Sequence, residues 1–103
     1  MLRERSELKR GSCSGSTDWK WKVGPEDGGL EAEFEIDSSA TGVAWRVKLF
    51  HAGSRYVNVT RRTNAEGEIE LERRVSNNAG TDHFRAYAQN LRTGETCRAR
   101  IWF

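Results

Sequence analysis

Large aliphatic residues, proline and cysteine are all scarce in this chain. Its 103 residues include one Pro, two Cys and only 19 Leu, Ile, Val and Phe in total. No apolar run approaches the roughly 18 residues that a membrane-spanning helix requires. Neither a collagen repeat nor a heptad pattern is present. These absences leave one compact domain of ordinary size with a thin core.

A strong excess of charge of one sign is also lacking. Lys and Arg total 17 and Asp and Glu total 15, which gives a formal net charge of +2. Because this imbalance is too small for charge repulsion to keep the chain unfolded, the sequence predicts a folded protein.

The two cysteines, Cys13 and Cys97, lie near opposite ends of the chain. They share no metal-ligand spacing with each other or with the histidines, so we expect no metal site. Two states remain possible for these cysteines, a disulfide between them or two free buried thiols. A small domain gains much from a disulfide, and closing a loop of about 85 residues contributes roughly 4–5 kcal/mol in the chain-entropy model. The disulfide is the favoured prediction, and it would indicate an oxidising compartment.

Seven segments alternate apolar and polar residues with a period of two, which indicates strands with one buried and one exposed face. They are residues 19–23, 30–37, 43–49, 55–62, 69–72, 84–88 and 97–103. A turn segment containing Gly separates each strand from the next, at intervals typical of a β-sandwich or small barrel. We find no helical periodicity after the first ten residues.

Seven strands in about 90 residues predict an all-β, seven-stranded immunoglobulin-like β-sandwich. Strands A, B, E and D form one sheet in this fold, and strands C, F and G form the other; residues 55–62 would be strand D. Trp45 fits the Trp of strand C. Cysteines on strands B and F are absent, and Cys13 and Cys97 would instead join the first and last strand regions. Jelly rolls and small barrels are the alternatives.

A set of short motifs resembles one protein family. The motifs are Cys13, Trp19-Lys20-Trp21-Lys22, Pro25-Glu26-Asp27-Gly28, Glu31, Glu35, Trp45-Arg46-Val47 and Arg92-Thr93-Gly94-Glu95-Thr96-Cys97. Over residues 11–103 the chain resembles small secreted proteins of high-GC Gram-positive bacteria that have immunoglobulin- or fibronectin-like folds and mostly no assigned function. The resemblance implies a sandwich fold and a secreted or cell-surface location. It implies no catalytic residue.

The first ten residues, MLRERSELKR, are charged and lack the apolar segment of a signal peptide. We therefore expect a charged N-terminal extension over residues 1–10 and a single sandwich domain over residues 11–103. A replaced signal peptide, a misassigned start and a cytosolic protein are three explanations for this leader.

The inward positions of the alternation predict the core. They include Trp19, Trp21, Phe34, Trp45, Val47, Phe84 and Ile101. Trp19 and Trp21 fall on the same side of the first predicted strand, where core packing is favoured over a platform that stacks on sugars. A register slip of one residue would reverse the assignments on a strand.

The outward positions give the two sheets opposite charge. On strands B and E they are acidic, and we expect a solvated surface rather than a Ca²⁺ site. On strands C, F and G they include Phe50 and form a candidate binding face: Arg46, Lys48, His83, Arg85, Tyr87, Arg98, Arg100 and Trp102. Because Arg matches phosphate and sulfate and aromatic rings stack on sugars or bases, this face suits an anionic polymer or an acidic protein. The alternative is an Arg–aromatic ladder that only stabilises the sheet.

Catalytic motifs are missing. The chain has no Gly-X-Ser-X-Gly elbow, dinucleotide-binding glycine motif or P-loop, and we expect His51 and His83 to be ordinary exposed histidines. We expect no enzyme activity, no cofactor and a monomer. The favoured hypothesis is a secreted, non-catalytic interaction module. The alternatives are a structural domain of a larger exported protein and an inhibitor or effector that acts through its loops, for example residues 76–81.

Overall fold

The computed structural model describes residues 6–76 and 81–103, which form two four-stranded antiparallel sheets. The predicted loop at residues 76–81 lies mostly outside the described residues, as do residues 1–5 of the predicted extension. No helix in the described residues is long and apolar enough to cross a membrane. The strands are β1 (Glu7–Ser12), β2 (Asp18–Glu26), β3 (Gly29–Asp37), β4 (Ala44–His51), β5 (Ser54–Arg62), β6 (Glu68–Val75), β7 (His83–Asn90) and β8 (Thr96–Trp102).

The first sheet has the strand order β1-β2-β3-β6, and the second has the order β5-β4-β7-β8. Two hairpins, β2–β3 and β4–β5, close with two-residue turns in which both residues have positive φ. These turns are Asp27-Gly28 and Ala52-Gly53. Turns of this type match the right-handed twist of the flanking strands, so each hairpin is defined locally.

The prediction of seven strands is wrong, because β1 is an eighth strand paired along its whole length with β2. It includes residues 7–10, which were expected to belong to a charged extension. As an edge strand with mostly exposed side chains, β1 contributes little to the core and shows no apolar alternation. The backbone of β1 packs closely against the first sheet at Gly11, where a Cβ atom would collide with the indole of Trp19.

The assignment of residues 55–62 to the first sheet is also wrong. They form β5, which pairs with β4 at the edge of the second sheet. The register sets Val59 opposite Val47 and Val57 opposite Leu49, so both valines extend the apolar side of the second sheet. A strand that alternates apolar and polar residues satisfies either sheet equally well, and the alternation therefore does not select the partner.

The core lies between the two sheets. Six of the seven predicted core residues are buried, namely Trp21, Phe34, Trp45, Val47, Phe84 and Ile101, whereas Trp19 is half-buried at its margin. The Trp21 indole N–H donates a hydrogen bond to the Phe84 carbonyl at 3.2 Å, which links the two sheets through the core. Large aromatic side chains thus replace the aliphatic residues that the composition lacks.

The predicted disulfide is confirmed, and it joins Cys13, directly after β1, to Cys97 in β8. Polar contacts reinforce this junction. The Glu95 carboxylate accepts hydrogen bonds from Gly15 N at 2.9 Å, Thr17 N at 3.0 Å and Thr17 Oγ1 at 2.9 Å. We call this set of contacts, together with the backbone bond from Ser14 N to the Thr96 carbonyl at 2.8 Å, the terminal clamp.

Candidate functional site

The outer surface of the second sheet carries every residue of the predicted binding face. Paired residues of antiparallel strands project from the same side of a sheet. One row aligns Lys48 with Tyr87 and Tyr87 with Arg98; the next aligns Phe50, Arg85 and Arg100. We call this surface the basic-aromatic face, and it consists of Arg46, Lys48, Phe50, His83, Arg85, Tyr87, Arg98, Arg100 and Trp102.

Two arginines of the basic-aromatic face stack on aromatic rings. The Arg85 guanidinium lies 4.3 Å from the centroid of Phe50, and the Arg98 guanidinium lies 5.1 Å from the centroid of Tyr87. Such cation–π contacts contribute about 0.5–1 kcal/mol each at exposed sites. They hold the guanidinium groups over the sheet and cover one face of each ring.

Trp102 forms a different contact at the end of the face. Its indole stacks on the imidazole of His83 with the ring centroids 4.2 Å apart and the planes 18° from parallel. Burial lowers the pKa of His83 from its usual value, and repulsion from Arg100 and Arg85 lowers it further. The lowered pKa favours the neutral imidazole, and Trp102 remains 64% exposed above it.

The cations of the basic-aromatic face have no carboxylate partner within residues 6–76 and 81–103. Three ion pairs occur among the described residues, and none includes Arg46, Lys48, Arg85, Arg98 or Arg100. Arg46 donates a hydrogen bond to Asn58 Oδ1 at 3.1 Å, which orients the guanidinium without neutralising it. Five positive charges therefore act together at one surface.

The outer surface of the first sheet carries opposed carboxylates on β3 and β6. Cross-strand pairs join Glu33 to Glu72, Glu35 to Glu70 and Asp37 to Glu68. We call these residues, with Glu31, the acidic stripe. Among the described residues, no group of three or more side chains is arranged to hold a metal ion.

Repulsion within the acidic stripe changes its titration. The negative charges of Glu31 and Glu33 raise the pKa of Glu72 above its ordinary value. The pKa of Glu68 is also raised, by loss of hydration and then by the neighbouring charge of Asp37. In the described part of the chain, one ion pair, from Lys20 Nζ to Glu35 Oε1 at 3.1 Å, offsets the negative charge of the stripe on its β2 side.

His51 and His83 are both half-buried, in contrast to the exposed positions expected from the sequence. The Nε2 atom of His51 lies 2.9 Å from Asp82 Oδ2, and the His51 ring stacks on Phe84 with the centroids 4.3 Å apart. Because His51 faces the core side of β4 while His83 faces outward, the structure does not bring the two histidines into one site. The contact with Asp82 ties the end of β4 to the segment before β7.

Trp19 borders an open groove of about 510 Å³ at one end of the first sheet. The groove is lined by charges of both signs, including Arg10, Lys20, Glu35 and Asp37. This mixture favours neither cations nor anions, and the half-buried indole lies against Gly11. We therefore assign Trp19 to the margin of the core rather than to a sugar-stacking platform.

The basic-aromatic face thus emerges as the most strongly charged surface of one sign without internal compensation among the described residues. Phe50 supports the Arg85 guanidinium, and Glu95 accepts the hydrogen bonds of the terminal clamp. The alternating pattern of the sequence did not predict the role of Glu95.

No protein-family model matches the chain, and neither a curated protein nor a solved structure matches it.

Proposed function

We propose that the protein is a non-catalytic interaction module that binds an anionic polymer through the basic-aromatic face. The observation that carries the proposal is the set of five cations on one sheet surface, none of them paired with a carboxylate in the described part of the chain. Arginine guanidinium groups match phosphate and sulfate in a planar fork. A flat surface with several such groups suits a polymer better than a small enclosed ligand.

The restricted conformations of two arginine side chains support this proposal. Stacking on Phe50 and Tyr87 restricts Arg85 and Arg98 before a ligand arrives. Less side-chain entropy is then lost on binding, which increases affinity for a given set of contacts. The acidic stripe on the opposite sheet repels a polyanion and so directs its approach to the basic-aromatic face.

The fold and compartment belong to the same proposal. Strands β2, β3 and β6 correspond in order to A, B and E of an immunoglobulin-like sandwich, while β5, β4, β7 and β8 correspond to C′, C, F and G. The Cys13–Cys97 disulfide favours an oxidising environment. We therefore propose a secreted or cell-surface protein, in keeping with the resemblance to small sandwich proteins of high-GC Gram-positive bacteria.

A structural domain without a ligand is the second candidate. It is favoured by the same cation–π contacts, because Arg85 and Arg98 already have aromatic partners within the sheet. The two candidates differ in what happens when the exposed cations are reversed. A structural ladder requires only its stacked pairs, whereas a binding surface requires the total charge.

Retention on an immobilised sulfated polysaccharide distinguishes the two candidates. The test variant carries R46E, R98E and R100E, and the matched control carries R10E, R61E and R92E, which reverse three exposed arginines outside the face. Both variants change the net charge by the same amount. We expect the wild type and the control to be retained at low salt and eluted by salt, and the test variant to pass through.

Two results would contradict the proposal. One is no binding of the wild type to any of the polyanions tested, the sulfated polysaccharide included, at about 50 mM salt, which would favour the structural domain. The other is equal weakening by the test and control variants, which would indicate a general charge effect. A parallel column of immobilised polyglutamate identifies an acidic protein as the partner if it retains the wild type more strongly than the polysaccharide does. Thermal unfolding of each variant verifies that it is folded.

A further inference from the structure

The basic-aromatic face contains one aromatic ring that is available for stacking. Arg85 covers Phe50 and Arg98 covers Tyr87, whereas Trp102 is 64% exposed although His83 stacks on one side of it. The opposite side of the indole is accessible to a ligand. Because the imidazole of His83 packs beneath the indole, the plane of the indole is restricted before a ligand arrives.

Trp102 shares one strand with two exposed arginines. Arg98, Arg100 and Trp102 are alternate residues of β8, one of the two edge strands of the second sheet, and all three project outward. The rise of a β-strand spaces alternate side chains by about 6.7 Å. The surface is therefore a line of two guanidinium groups that ends in a flat apolar ring, and the sheet edge leaves one side of this line open.

This arrangement best fits a ligand that carries both anionic groups and flat rings along its length. A nucleotide strand has this chemistry, with phosphates along its backbone and a planar base on every unit. In a sulfated polysaccharide the anionic groups are attached to the sugar rings themselves, and an acidic peptide has no regular planar unit. A duplex does not fit, because its bases are already stacked and present only their edges in the grooves.

We infer that the anionic polymer is single-stranded nucleic acid, with a base stacked on Trp102 and phosphates bound by Arg98 and Arg100. This inference rests on the proposed function, because it specifies the ligand of the same face. Stacking is tolerant of base identity, so binding is expected without strong sequence preference. If all five cations contact phosphates, the logarithm of the binding constant falls with the logarithm of salt concentration with a slope of about −3.5.

The test compares two 12-nucleotide ligands by fluorescence anisotropy. One is oligo-dT, and the other is an abasic strand of the same length with the same phosphates and no bases. We expect the wild type to bind oligo-dT more tightly by about 5–150-fold, which is the range for loss of one stacked base. W102A should bind both ligands equally, at the affinity of the wild type for the abasic strand, and W102F should restore part of the difference.

Control variants separate stacking from charge and from folding. L91A removes another exposed apolar side chain, in the turn before β8, and should leave both affinities unchanged. R98E/R100E should weaken both ligands together, whereas R10E/R92E should weaken neither. Thermal unfolding of W102A is expected to stay close to the wild type because the side chain is mostly exposed.

The outcomes distinguish this inference from the proposed function. Equal binding of oligo-dT and the abasic strand by the wild type overturns the stacking inference and leaves polyanion binding intact. A preference for oligo-dT that persists in W102A also overturns it. Failure of the wild type to bind either strand, the sulfated polysaccharide or polyglutamate overturns the proposed function itself.

Discussion

Reduction of the Cys13–Cys97 disulfide is expected to destabilise the protein mainly through its unfolded state. The bond joins residues 84 apart in the sequence, so it closes nearly the whole chain into a loop. In the folded protein the terminal clamp holds the same two segments together through Glu95 and the Ser14–Thr96 backbone bond. Reduction therefore leaves the native contacts in place and releases the unfolded chain.

The magnitude follows from the loop length. For about 85 residues the chain-entropy relation gives an entropy change of about 15 cal/mol/K, or about 4.6 kcal/mol at 25 °C. The free energy of unfolding for a domain is typically about 5–15 kcal/mol in total. Loss of the disulfide thus removes from about a third to nearly all of the stability, whereas loss of one clamp hydrogen bond removes about 1 kcal/mol.

Urea unfolding monitored by Trp fluorescence, with and without a phosphine reductant, measures this change. With a typical dependence of about 1–3 kcal/mol per molar urea, the midpoint should fall by about 1.5–4.5 M. A C13A/C97A variant serves as the control, because the reductant should not alter its midpoint. A shift below about 0.5 M, with both thiols titrated to completion, would refute the unfolded-state reasoning.

Three further predictions concern single residues. Glu95→Ala leaves the amide and hydroxyl of the buried Thr17 without their acceptor and should lower the free energy of unfolding by about 2 kcal/mol, whereas Glu66→Ala, at an exposed position, should change it little in the same urea titration. Because the folded-state pKa of Glu72 lies above its unfolded value, the free energy of unfolding should fall as the pH rises from 4.5 through the folded pKa. Glu72→Gln should flatten this pH dependence, and an unchanged profile would contradict the raised pKa of Glu72. Gly67→Ala should cost at least about 1 kcal/mol more than Gly53→Ala, since both have positive φ but only at Gly67 would a Cβ collide with backbone, and equal thermal shifts would disprove this.

The outward and inward assignments were predictable because alternation determines which side of a strand each residue occupies. Arg98, Arg100 and Trp102 could be placed on one surface from their spacing alone, and the buried Ala99 and Ile101 between them confirm the register. The pairing of the acidic strands β3 and β6 also follows the expected topology. These features depend on local pattern, which a sequence displays directly.

The remaining features depend on partners distant in the chain. Glu95 lies in a turn, and nothing near it in the sequence indicates that its acceptor oxygens serve Gly15 and Thr17, about 80 residues away. The strand β1 was missed because its edge position requires no apolar alternation, and β5 was assigned to the wrong sheet because Val57 and Val59 would suit either one. Backbone pairing, rather than side-chain pattern, decides these cases.

The disulfide also determines how the molecule bears mechanical load. Tension applied to the chain on the N-terminal side of Cys13 and on the C-terminal side of Cys97 passes directly through the covalent bond. It can peel β1 from β2 and β8 from β7, but the chain between the two cysteines receives no pull. Strands β2 to β7 are therefore shielded from extension, and the fold can be stretched only by the length of β1 and of the part of β8 that follows Cys97.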